Sequence, residues 1–162
     1  MFTAEEILDM AIRLEQNAET VYRQAMDKVS DPEFIEMLEW IRREEIKHAA
    51  WFEGLKANLG KRPENPISEE MHKEMFEEMI GEESFSLREV NFEEITSLDE
   101  LIGVFIEFEK DTILFYEMLQ PFIQEEEALN QLKKIIAEEN RHIDCLREFL
   151  ARKTPETAAE GW

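Results

Sequence analysis

The feature that most constrains this chain is a four-residue set that occurs twice. Glu15, Tyr22, Glu45 and His48 recur 94 positions later as Glu109, Tyr116, Glu139 and His142. The set uses both tyrosines of the chain and two of its three histidines. Glu and His three residues apart, or Glu and Tyr seven apart, share a face on a helix, where side chains realign every three, four or seven positions. The pattern therefore predicts four helices arranged as two similar halves.

Hydrophobic periodicity gives the same four segments. The first, Thr3 to Val29, carries the stripe Leu8, Ala11, Glu15, Ala18, Tyr22, Ala25 and Val29, and opens on Thr3 and Glu6 as a capping box. The second starts at Asp31 and Pro32, an N-cap followed by proline at the first helical position, and ends near Gly60. Its stripe is Leu38, Ile41, Glu45, His48, Phe52, Leu55 and Leu59. The third begins with the capping pattern Ser97 to Glu100 and stops before Pro121, and its stripe is Ile102, Phe105, Glu109, Thr112, Tyr116, Leu119 and Ile123. The fourth runs from about Glu125 to Arg152 through Leu132, Ile135, Glu139, His142, Leu146 and Phe149, and Thr154 and Pro155 close it. In every segment the polar members of the repeated set lie on the apolar seam. A repeat near 3.5 residues favours bundle packing.

The expected architecture is all-α: one domain over 1–153, with a hairpin at 3–59, a crossover at 60–96, a hairpin at 97–152 and a short tail at 154–162. The short connections make each pair antiparallel. The long crossover makes the second and third helices parallel, and it is expected to hold a short helix from Ser68 to about Ile80. Met71, Met75 and Met79 on that helix are read as packing over the bundle, and His72 as crossover surface.

Composition sets limits on partners. The net charge of −21, from 39 acidic against 18 basic residues, argues against nucleic acid or an anionic membrane, since phosphate recognition needs a basic face. A single cysteine, Cys145, allows neither a disulfide framework nor a Cys-x-x-Cys metal site. No basic stretch followed by an apolar run appears at the N-terminus, and no apolar run is long enough to span a bilayer. The expected location is cytoplasmic.

The repeated set carries the chemistry. Glu15 precedes the first turn by about as many residues as Glu45 follows it, so the two carboxylates sit at one height. The same holds for Glu109 and Glu139. Four buried carboxylates in one layer repel one another and lose hydration. Two divalent cations would neutralise them, and two imidazoles would add one nitrogen ligand per ion. Mixed carboxylate and imidazole ligation suits iron or manganese, with zinc also accommodated. Glu15 and His48 are assigned to one ion, Glu109 and His142 to the other, and Glu45 and Glu139 bridge. Glu44 and Glu138 are placed to accept the second ring N–H of a histidine on a neighbouring helix. Tyr22 and Tyr116 lie beside the site as hydrogen-bond donors or redox-active phenols.

The set Glu15, Glu45-x2-His48, Glu109, Glu139-x2-His142 resembles the di-iron site of the ferritin-like superfamily, over roughly 1–59 and 97–152. Rubrerythrin-like and bacterioferritin-like members are closest in pattern. The chain departs from them at named positions. It lacks the two Cys-x2-Cys pairs of a rubredoxin-like iron site. Ile106 and Thr112 stand one turn either side of Glu109, where rubrerythrins have an extra carboxylate, and Glu19, one turn after Glu15, is a substitute candidate. Ile46 and Asn140 follow the bridging glutamates, so the haem-binding methionine of bacterioferritins is missing and no haem is expected. The tail does not offer the fifth helix of a storage cage.

The resemblance implies a non-haem di-iron or dimanganese oxidoreductase. It would reduce peroxide or dioxygen with electrons from an external donor protein, as a homodimer or higher homo-oligomer. Ferroxidation with iron storage or delivery, where Fe(II) is the small partner, is the alternative reading. A structural bundle with a vestigial site is the third.

Overall fold

The computed structural model describes residues 4–58 and 90–153, and within them the chain is helical. Helices α1 (Ala4–Met26) and α2 (Pro32–Ala57) form the first pair, and α3 (Leu98–Leu119) and α4 (Glu126–Arg152) the second. Single 3-10 turns, Phe92–Glu94 and Gln120–Phe122, precede and follow α3.

Local chemistry sets the ends. Asp31 accepts the Phe34 N–H at 3.1 Å, and Pro32 gives up no hydrogen bond at a position whose N–H is free in any helix. Ser97 accepts the Glu100 N–H at 3.2 Å. Glu100 reaches back to the Thr96 N–H at 3.1 Å, one residue beyond the expected reciprocal partner. Two helices end earlier than the periodicity indicates. The Lys28 N–H bonds to Ala25 at 2.9 Å in a tightening turn, so α1 stops at Met26 while Val29 stays buried. The stripe continued past the helix because Val29 packs on the core from the turn. At the end of α2 the Asn58 N–H turns to Gly54, short of the expected Gly60.

Long-range pairs fix the topology. Lys56 meets Asp9 at 2.6 Å, so α1 and α2 are antiparallel. Tyr22 bonds to Glu109 and Tyr116 to Glu15, which is antiparallel pairing of α1 with α3. Lys153 reaches Asp31 at 2.8 Å and Arg152 reaches Glu33 at 2.6 Å, so the end of α4 lies at the start of α2. It follows that α2 and α3 run parallel, the relation assigned to them from the long crossover. The short helix expected over 68–80, its methionine stripe and His72 lie outside the described residues.

The core forms in two parts. One cluster includes Ile7, Leu8, Ala11, Phe52, Leu119, Leu132 and Ile135. The other includes Val21, Ala25, Phe34, Leu38, Ile102, Phe105 and Phe149. Each draws on all four helices. Between them lie the buried polar residues Glu15, Glu45, His48, Glu109, Thr112, Glu139 and His142.

Candidate metal centre

All four helices deliver a carboxylate to this central layer, and α2 and α4 each add the histidine one turn on. Glu15, Glu45, Glu109, Glu139, His48 and His142 are each at most 3% exposed. They form two overlapping groups. Glu15, Glu45, His48 and Glu139 offer one ligand atom each within 4.8 Å of one another, and so do Glu45, Glu109, Glu139 and His142. Glu45 and Glu139 belong to both.

Both histidines turn Nδ1 towards the carboxylates. His48 Nδ1 lies 2.7 Å from Glu139 Oε1 and 3.5 Å from Glu15 Oε1. His142 Nδ1 lies 3.1 Å from Glu45, 3.2 Å from Glu139 and 3.5 Å from Glu109. The far side of the rings differs. His48 Nε2 meets Glu138 at 2.6 Å, as the sequence reading allowed. The matching bond from His142 to Glu44 is not made: His142 Nε2 is buried without a partner, and Glu44 groups with His48 and Glu138. The edge of Trp40 covers His142 with ring centroids 5.2 Å apart, and the Arg141 guanidinium stacks on Trp40. Sequence reasoning missed Trp40. It lies one residue off the stripe of α2, and its counterpart in the second half is Lys134, so the repeat gave no signal.

The tyrosines cross between halves. Tyr22 on α1 donates to Glu109 on α3, and Tyr116 on α3 donates to Glu15 on α1, both at 2.5 Å. Burial and the neighbouring carboxylates push both phenols well above their ordinary pKa, so each keeps its proton and acts as a donor. Glu19 faces outward enough to accept from Arg42 at 3.1 Å, and Arg42 is held at the same time by Glu39 at 2.7 Å and 2.8 Å. Between α1 and α2 a cleft of about 240 Å³ borders Glu15 and Glu45.

The electrostatics are those of a crowded anionic site. Burial first, then Glu139 and Glu15, raise Glu45 well above the carboxylate range. Burial and Glu139 raise Glu109 to about 8. For Glu139 burial acts upward but hydrogen bonds from Glu109, His142 and His48 outweigh it, and its pKa falls. Burial opposes charge on the imidazoles, yet the carboxylates carry His48 up to about 12 and His142 up to about 11. Protons thus hold this layer together when no cation does.

The residues fit a pair of divalent cations. Glu15 Oε2, Glu45 Oε1, Glu109 Oε2 and His142 Nε2 are buried without a hydrogen-bond partner. Orphaned oxygens of this kind are rare in protein interiors and costly to retain. Three of the four belong to carboxylates directed at one another, the donor set that iron and manganese favour.

A helical bundle with a buried carboxylate and histidine layer defines a class of protein, and comparison with known proteins places the chain within it. Residues 6–150 match the Rubrerythrin family model, and the chain belongs to the rubrerythrin family. Two solved structures share the fold. A Thermotoga maritima protein described as a ferritin-like diiron-carboxylate protein superposes with a TM-score of 0.67 at 22% identity, covering 94% of this chain and 97% of its own. A hypothetical protein from Pyrococcus furiosus gives 0.66 at 24% identity, covering 91% and 87%. No curated protein matches the sequence. Among the described residues no helix is long and apolar enough to cross a membrane.

Proposed function

We propose that this protein is a dimetal redox protein that reduces peroxide, or dioxygen, with electrons returned by an external donor protein. The observation that carries this reading is the pair of overlapping ligand groups sharing Glu45 and Glu139, with unpartnered carboxylate oxygens between them. Glu15 and His48 would hold one ion, Glu109 and His142 the other, and Glu45 and Glu139 would bridge. Iron is the favoured metal, with manganese or zinc compatible with the same ligands. Bound as a ferrous pair, the ions would supply the two electrons that, with two protons, take one hydrogen peroxide to two waters.

The chain's own residues provide the setting. Tyr22 and Tyr116 fix one oxygen of Glu109 and of Glu15, leaving the other oxygen free for a cation. Glu138 holds the outer nitrogen of His48, which directs Nδ1 inward. The apolar clusters on both sides exclude water from all but the layer itself.

Anaerobic protein loaded with two Fe(II) should be oxidised by one equivalent of peroxide and should turn over repeatedly once a reductant is supplied. Oxidation without turnover by any of several reductants would sink the enzymatic reading. Growth of a mineral core under excess Fe(II) would instead support iron storage. Glu45→Gln should abolish two-ion binding while the metal-free fold survives.

A further inference from the structure

The two halves share their ligands but differ on their outer faces. The cleft between α1 and α2 has Glu15 and Glu45 as its floor, Ala49 and Ala50 on its wall, and Glu19 and Glu53 along its sides. The same 94-residue offset that relates the ligands converts Glu19 to Ile113, Ala49 to Ile143 and Glu53 to Arg147. Ile113 is 8% exposed and Ile143 5%, and both pack into an apolar cluster. Two small or acidic positions on one face are thus isoleucines on the other, and a rim carboxylate has become a guanidinium.

We infer that the α1–α2 cleft is the inlet through which divalent cations reach the centre, and that the α3–α4 face is sealed. This rests on the metal-centre reading above. Besides the acidic lining, Glu15 and Glu45 both border the cleft, and Glu15 Oε2 is buried without a hydrogen-bond partner. Glu19 is a relay carboxylate on the way in. Its partner Arg42 stays bidentate on Glu39, so Glu19 can turn to an arriving cation without stranding the guanidinium. The negative rim raises the local cation concentration, and salt screens that effect.

Uptake of Co²⁺ by the metal-free full-length protein tests the inlet, followed by stopped-flow tryptophan fluorescence with binding stoichiometry measured at equilibrium. Ala49→Ile, which copies the sealed half, should slow uptake about tenfold or more while two ions still bind. Glu53→Arg, at an exposed site that does not threaten folding, should slow it several-fold and flatten its dependence on ionic strength. Glu117→Arg, the same charge change on exposed α3, should leave the rate near wild type. Two ions bound at a rate indifferent to both Ala49→Ile and Glu53→Arg overturns the inlet alone. A wild-type chain that takes up no Co²⁺ overturns the metal centre and the inlet with it.

Discussion

At the scale of single residues, the site is a place where protons and cations compete. His48 and His142 have pKa values raised to about 12 and about 11, Glu109 to about 8, and Glu45 is raised as well. Near neutral pH the two histidines and Glu109 each hold a proton. Ligation requires them to give it up, so loading two ions at pH 7 should release up to about three protons per chain. An indicator dye in weak buffer measures this, and release below one proton per chain would contradict the ligand set. The sign for the metal-free fold follows from the same shifts. Stability from the raised histidines is present in full below their unfolded pKa and is lost as pH rises through about 11 to 12. Metal affinity moves the other way and strengthens as pH rises. Tyr22→Phe strands a buried oxygen of Glu109, so the metal-free protein should lose about 1–3 kcal/mol in denaturant unfolding. All six of the clustered carboxylates and imidazoles were legible in advance because helical spacing ties Glu to His and Glu to Tyr. The crossed tyrosine bonds were not, since spacing along one helix carries no information on which helix faces it.

At the scale of the helices, the junction of α2 and α4 is the most exposed to test. Asp31 caps α2 through the Phe34 N–H and accepts from Lys153 just past the end of α4. Lys153 foremost, opposed by burial, lowers the Asp31 pKa. Its contribution is therefore complete above the unfolded value of 3.8 and is lost as pH falls through the lower folded value. Asp31→Ala should cost about 1–2 kcal/mol at neutral pH, and the difference from wild type should shrink in acid. An undiminished difference at pH 2 would show that Asp31 acts by some route other than its charge. The helix starts were readable from Asp31, Pro32 and Ser97, whose side chains act within three residues. The stops were less so. Val29 continues an apolar stripe, and periodicity cannot separate a last helical turn from a buried residue in the turn that follows.

At the scale of the molecule, each apolar cluster is built from both hairpins, so neither hairpin owns a core. A fragment ending near Asn58 should show little helicity by circular dichroism as a dilute monomer. The charge of −21 works against compaction. Raising sodium chloride from low to about molar levels should raise the melting temperature of the metal-free protein. It should help the metal-loaded protein less, because two cations already neutralise the most crowded carboxylates. The parallel relation of α2 and α3 was legible from loop lengths. The difference between the outer faces was not, because a search for repeats rewards positions that agree and passes over Glu19 against Ile113.

The crossed tyrosine bonds give the molecule an approximate twofold relation, in which each half completes the other's carboxylates. Two identical hairpins could make the same exchange across a true axis. Such a pair, however, is bound by its symmetry to have two doors or none. Joining the halves in one chain releases each outer wall to take its own residues while the shared centre stays matched, and a single chain can keep one door open and brick up the other.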